Sequence, residues 1–286
     1  MNAATETGGI TVSVTDGIGR LILDRPSHKN SLTKAMCLEL TEAVTRLDAD
    51  PDVAVITLQG ADGNFCAGAG LDQFDQVLFD GADDGSAGPG TDRLSEADAA
   101  IRATRKPTVA LVEGICMGGG WQIAAAADVV VASTTARIAV TPSKLGIVYP
   151  RAGLERLADR VGMDRAKYLL LTASEVTPTQ AEQWGLVTVL FEAETFAAQA
   201  AGVVSTIRSR SLFSNVSHKR LLDGYAERGS GVDISEDARH AYEADWTRTW
   251  EDFRTGPDLA EGRRAFAAKE RPAFPWTLPE DQAVHL

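Results

Sequence analysis

Three consecutive glycines, Gly118, Gly119 and Gly120, constrain this chain more than any other feature. Before them runs Pro107-Thr-Val-Ala-Leu-Val112, apolar and rich in β-formers. After them come Trp121, Gln122, Ile123 and four alanines, Ala124 to Ala127, which favour a helix. The order reads as strand, glycine turn, buried helix. Glycine lacks a Cβ, so a ligand can approach this backbone closely. The first N–H groups of a helix have no internal partner and lie at the positive end of its dipole. Such a place holds an anion, or an oxygen that becomes one during reaction. Alone, the turn need only let a helix pack. A second unit of the same kind changes that reading: a strand-like run from Val53 to Gln59 leads into the glycine-rich segment Gly60 to Asp72. Two such units can aim two backbone donors at one oxygen.

Composition narrows the classes. A net charge of −12 over 286 residues opposes binding to nucleic acid phosphates. No apolar run approaches the roughly 20 residues of a spanning helix. Cys37, Cys66 and Cys116 cannot all pair and lack metal-ligand spacing, which points to free thiols in a reducing compartment. The N-terminus shows no basic-then-apolar leader pattern, so a cytoplasmic protein is expected.

In chain order, Ile10–Val14 and Arg20–Leu23 read as strands joined through Asp16-Gly17-Ile18-Gly19. Thr33 then precedes a helix with an apolar set of Met36, Leu38, Leu40, Val44 and Leu47. Residues 80–90 read as a flexible glycine- and aspartate-rich loop, followed by a helix over 95–105. A strand is expected over 128–132, and loop over 138–153. Helices are expected over 154–161, 165–171 and 179–184, and a short strand over 187–190. Long helices follow over 196–208, 212–225, 234–253 and 259–269. Trp246 and Trp250, at helical spacing, read as core or interface.

The motifs together resemble the crotonase (enoyl-CoA hydratase/isomerase) superfamily. The resemblance rests on Phe65-Cys-Ala-Gly-Ala-Gly-Leu-Asp72 paired with Gly114-Ile-Cys-Met-Gly-Gly-Gly120. The early Arg25-Pro26…Asn30-Ser31-Leu32 segment, Ala127-Asp128 and the C-terminal Ala265-Phe-Ala-Ala-Lys-Glu-Arg-Pro272 add to it. It covers roughly residues 10 to 275. It implies an α/β fold of the crotonase (ClpP-like) type, a spiral of ββα units over 1–195 with a helical trimerisation region over 196–286. It implies a homo-oligomer, either a trimer or a dimer of trimers. The substrate implied is a thioester of coenzyme A or of an acyl carrier, with no metal and no resident cofactor. Membrane partners are not expected.

Carried over residue by residue, the two oxyanion N–H groups fall on Ala69 and Gly119. The coenzyme A moiety falls beside Ser27, His28, Lys29 and Ala67, with Phe266 and Lys269 near its nucleotide end. Typical hydratases of the family carry two glutamates as acid and base. Here those positions hold Gln122 and Ser143, and neither takes a proton from water near neutral pH. The loop Thr141-Pro-Ser-Lys-Leu-Gly-Ile-Val-Tyr149 resembles that of the methylmalonyl-CoA decarboxylase branch, whose tyrosine orients a carboxylate for loss of CO2; Tyr149 matches it. That branch also has a histidine where this chain has Ala69. Asp72 is a candidate base, or else a helix cap. Lys144 and Arg151 read as surface salt-bridge formers or as partners of a substrate carboxylate. A lyase is therefore expected, either a decarboxylase or an atypical hydratase. The alternatives are an enoyl-CoA isomerase and a catalytically silent binding or assembly protein.

Overall fold

The computed structural model describes residues 8–81, 90–229 and 235–279. The glycine-rich stretch 82–89, read from sequence as a flexible loop, lies outside them. The chain forms two compact units. One comprises residues up to Thr104 with Thr108–Val204; the other comprises Arg105–Pro107 with the chain from Ser205 onward.

The first unit opens on a hairpin, β1 (Gly9–Thr15) and β2 (Ile18–Asp24), paired antiparallel. Its turn is only Asp16-Gly17, both at positive φ (51° and 73°), as a two-residue hairpin turn requires. Ile18 and Gly19, read from sequence as turn, belong to β2. Thr33 caps α1 (Lys34–Ala49), its hydroxyl accepting from Met36 N at 3.1 Å. Met36, Cys37, Leu40, Val44 and Leu47 form the buried stripe of α1. Leu38, assigned to that stripe from sequence, is exposed. One helical step separates it from Cys37, which takes its place in the core.

Strand β3 (Val55–Gly60) follows, then α2 (Phe74–Leu78) and α3 (Arg93–Arg102). Next come β4 (Thr108–Val112), β5 (Ile115–Met117), α4 (Gly119–Ala126), β6 (Val129–Ser133) and β7 (Arg137–Ala139). The stretch read from sequence as loop over 138–153 holds the end of β7, a 3-10 turn over Pro142–Leu145 and the start of α5 (Arg151–Val161). Helix α6 (Met163–Thr172), β8 (Glu175–Val176), α7 (Pro178–Trp184) and β9 (Val189–Phe191) complete the unit's core, and α8 (Phe196–Arg208) leads onward.

The main sheet has the order β1-β2-β3-β4-β6-β9, parallel from β2 onward. Strand β3 is buried through Val55–Leu58, as expected of a parallel strand covered on both faces. Asp128 ties the starts of two neighbouring strands, its Oδ2 accepting from Thr108 N at 2.7 Å and from Thr108 Oγ1 at 2.9 Å.

A second, smaller sheet runs β5-β7-β8. Single bridges extend it through Cys66↔Cys116 and Leu32↔Ala69. Each turn of chain thus lays one strand in the large sheet and one short segment in the small one: β2 then Leu32, β3 then 66–69, β4 then β5, β6 then β7. This is the ββα spiral. The strand β5 inside the glycine-rich stretch is too short to carry a sequence signal.

In the second unit, α9 (Leu212–Gly229), α10 (Glu236–Thr255) and α11 (Pro257–Ala268) follow the sequence expectation closely. Trp246 and Trp250 stack on each other at 6.4 Å between ring centroids. Both remain exposed within the chain, so they are not core residues.

Candidate active site

The small sheet positions the site. The segment 66–69 changes partner as it advances. At Cys66 it bonds to β5, with Cys66 N donating to Ile115 O (2.8 Å) and Met117 N donating to Cys66 O (3.0 Å). Three residues later it bonds to the opposite side, Leu32 N donating to Gly68 O and Gly70 N to Leu32 O, both at 2.8 Å. In a parallel bridge the residue between two such bonds turns its own N–H away from the partner. Ala69 is that residue, so its N–H faces away from Leu32.

The Arg25–Leu32 segment fixes this turn. Asn30, fully buried, accepts from Arg25 N (3.0 Å) and donates to Ala61 O (2.8 Å) and Asn64 O (2.6 Å). Lys29 and Asn30 both adopt left-handed φ, near 52° and 56°.

On the other side, Gly118 takes φ 52°, ψ −115°, a conformation open to glycine alone, and starts α4. Its N–H donates to Ala139 O at 2.9 Å. Gly119 N is then the first N–H of the helix and has no carbonyl behind it. The two turns touch. A Cβ on Gly119 would lie 3.3 Å from Ala69 N, and one on Gly68 would lie 3.3 Å from Gly119 N. Among the described residues no hydrogen bond satisfies Ala69 N or Gly119 N. Leu94 of α3 closes this point, its Cδ2 lying 2.9 Å from the Cβ position of Gly119.

One turn into α4, Gln122 is fully buried. Its Nε2 lies 3.5 Å from Asp98 Oδ2, and its Oε1 has no hydrogen-bond partner. Asp98, also fully buried, is gripped by Arg156 through Nη1–Oδ1 (2.6 Å) and Nη2–Oδ2 (3.1 Å). The hydroxyl of Tyr149 donates to Gly118 O at 3.0 Å. Burial, reinforced by the charge of Asp98, pushes the Tyr149 phenol well above its ordinary range, so it keeps its proton.

Asp72 follows the first turn and pairs with the buried Arg25 through Nη2–Oδ2 (2.6 Å) and Nη1–Oδ1 (3.3 Å). That bond holds its carboxyl below the usual range. It makes no capping bond to α2, so of the two readings given for it, base or helix cap, the cap is not formed. A carboxylate held this way is a weaker base than a free one. Ser143 is exposed on the 3-10 turn. Burial pushes the Cys66 and Cys37 thiols up to about 12, and Cys116 well above its ordinary value. Arg151 forms an exposed pair with Glu155 at 2.7 Å, the surface salt bridge expected of it.

Of the residues matched to coenzyme A, Ser27, His28, Lys29 and Ala67 are exposed. Ala67 N donates to Lys29 O at 2.9 Å, which draws the 27–29 turn beside the first glycine turn. Ser27 Oγ bonds His28 Nδ1 at 3.0 Å. Phe266 and Lys269 lie at the exposed end of α11 in the second unit. Asp98 and Arg156 escaped the sequence reading. The available signal was the spacing Leu94, Asp98, Ile101, which puts a charge on the apolar face of α3.

A ββα spiral that brings two unpartnered backbone N–H groups together is the architecture of a crotonase-fold enzyme. The enoyl-CoA hydratase/isomerase family model matches residues 13–276. A probable enoyl-CoA hydratase from Mycobacterium leprae is 30% identical, covering 90% of this chain and 94% of its own. A peroxisomal Δ(3,5)-Δ(2,4)-dienoyl-CoA isomerase from Arabidopsis thaliana is 32% identical over 78% of this chain and 88% of its own. A crystal structure of an enoyl-CoA hydratase/isomerase family member is 44% identical, with TM-score 0.87, covering 96% of this chain and 100% of that one. The chain belongs to the enoyl-CoA hydratase/isomerase family of the crotonase superfamily.

Proposed function

We propose that this enzyme acts on an acyl-CoA thioester through an enolate, and that the enolate forms by loss of CO2. The thioester oxygen accepts from Ala69 N–H and Gly119 N–H. The bond from Cα to the carboxylate breaks, its electron pair enters the enolate, CO2 leaves, and a proton from solvent completes the product. Tyr149 turns its hydroxyl from Gly118 O to the substrate carboxylate and orients it. Coenzyme A enters as part of the substrate, held by Ser27, His28, Lys29 and Ala67. The working form is a trimer or a dimer of trimers in the cytoplasm.

The observation that carries this reading is the state of the ionisable groups near the hole. Among the described residues, Gln122 is an amide, Asp98 is committed to Arg156, Asp72 to Arg25, and Tyr149 and the thiols hold their protons. Decarboxylation makes an enolate without a base. Atypical hydration is the second reading, favoured by the names of relatives such as that from M. leprae. The unpartnered pair of N–H groups argues against a silent protein.

A thioester panel tests the reading. The expected result is CO2 release from malonyl- or methylmalonyl-CoA. Hydration of crotonyl-CoA at an ordinary rate, with no CO2 from any carboxylated thioester, would overturn it.

A further inference from the structure

Helix α4 supplies Gly119 N at its start, and Gly120 to Ala126 behind it are all buried. Its packing surface is mostly glycine, alanine, Trp121 and Ile123. Apolar burial is non-directional, so it resists separation more than it resists a small slide or rotation about the helix axis. A hole made of two N–H groups needs the opposite, because a displaced donor no longer points at the oxygen. The helix has to be held through its backbone.

One stretch of chain, 149–160, holds α4 from end to end. At the N-terminal end the Tyr149 hydroxyl donates to Gly118 O at 3.0 Å. In the middle Arg156 Nη1 reaches Gln122 O at 3.4 Å, while its shorter bond goes to Asp98 at 2.6 Å. At the C-terminal end Arg160 Nη2 donates to both Ala125 O (3.0 Å) and Ala127 O (3.1 Å). Arg156 and Arg160 stand four residues apart, on one face of α5. The last carbonyls of a helix lack intrahelical partners and carry the negative end of its dipole, which suits a guanidinium. Burial, with the charges of Arg156 and Arg102 close by, lowers the pKa of Arg160 to about 10, so it stays charged at neutral pH. Of the three grips, Arg160 is the one the proposed reaction leaves whole: Tyr149 turns to the substrate, and Arg156 is shared with Asp98.

We infer that Arg160 is a positioning residue for the oxyanion hole: it anchors the far end of α4 and so sets where Gly119 N–H points. The inference rests on the acyl-thioester reading and adds a residue to that site. Arg160 acts through the backbone of α4 alone. Its removal leaves both N–H groups present but lets the helix shift, which weakens the hole without abolishing it.

Arg160→Met keeps the apolar stem and removes the donors. Its kcat for methylmalonyl-CoA should fall about tenfold, less than for outright loss of a donor, with KM within about twofold of the parent's. The carbonyl band of bound butyryl-CoA, isotope-labelled at the thioester carbon, should move part of the way back to its solution frequency. Arg160→Lys keeps the charge but not the guanidinium fork, and should recover part of both losses. Leu47→Ala separates positioning from stability. Leu47 lies against Gly19, which pairs with the start of β3, whereas the first glycine turn follows the end of that strand. Its loss should lower the unfolding midpoint and leave the band in place. If Arg160→Met does not fold, a partial band shift in Arg160→Lys decides. If the parent binds butyryl-CoA without releasing CO2 from methylmalonyl-CoA, the band alone decides. A parent-like band in the Arg160 variant, or an equal band shift in Leu47→Ala, overturns the inference. A parent protein that binds neither thioester overturns the acyl-thioester reading, and this inference with it.

Discussion

Installing a carboxylate at position 122 does not create a ready base here, because Asp98 is already in place. In Gln122→Glu the contact between Nε2 and Asp98 Oδ2 at 3.5 Å becomes oxygen against oxygen. Two unit charges at that distance repel by about 5 kcal/mol at an effective dielectric constant near 20. Even if Arg156 offsets half of this, the remainder is close to two pKa units at 1.36 kcal/mol each. The introduced acid then keeps its proton in the folded state at pH values where it has lost it in the unfolded chain. Its folded pKa is raised, so its contribution to stability is fully present below the unfolded value, about 4.3, and is lost as pH rises through the folded value. Between the two pKa values the variant loses about 1.4 kcal/mol per pH unit relative to the parent. Thermal unfolding of both proteins from pH 5 to pH 8 measures this directly, and each kcal/mol moves the midpoint by roughly 2 °C or more. The gap is expected to widen with pH and then level off. Its pH dependence is expected to shrink when Asp98→Asn is added, leaving only what burial of the carboxyl imposes. A gap constant from pH 5 to pH 8 would refute the coupling between positions 98 and 122.

Three further outcomes follow from the same geometry. Gly153→Ala drives a methyl to 2.9 Å from Tyr149 Cε1 and 3.1 Å from Gln122 Oε1, and chemical denaturation should show a loss of about 1–3 kcal/mol. Tyr149→Phe leaves Gly118 O still accepting from Gln122 N at 3.1 Å, so the unfolding midpoint should barely move while turnover of a carboxylated thioester falls severalfold or more. Unchanged turnover would remove Tyr149 from the reaction. Asp72→Asn removes the carboxylate that pairs with the Arg25 guanidinium, only 2% exposed. Because the folded pKa of Asp72 lies below the unfolded one, the parent's advantage over this variant should be present above about pH 4 and vanish on acidification through the folded pKa. An advantage that does not decline at all on acidification would contradict the pairing.

Much of the scaffold was legible because its signals are local. Thr33 announces its helix by capping chemistry, and the long apolar strands and the C-terminal helices announce themselves by period. The pairing of the two glycine turns was legible only through resemblance, since nothing in either turn alone says what it faces. What stayed hidden depends on contacts distant in sequence. Strand β5 is three residues long and exists because Cys66 and β7 flank it. Asn30 carried only a resemblance in the sequence, while its amide bridges Arg25, Ala61 and Asn64, the last two more than thirty residues away. Asp72 carried a cap signal, yet a guanidinium from 47 residues earlier claimed its carboxylate. Asp98 was visible in principle as a charge on an apolar helix face, but its partner Arg156 lies 58 residues away.

The central claim is that the amides of Ala69 and Gly119 polarise one carbonyl. The carbonyl stretching frequency of a bound acyl-CoA, isotope-labelled at the thioester carbon, reads this directly. It should fall well below the free value on binding to the parent. It should return most of the way in Gly119→Ala, whose methyl would lie 3.3 Å from Ala69 N, with kcat down by about 10²–10³. A bound thioester whose carbonyl keeps its solution frequency in the parent protein would contradict the account.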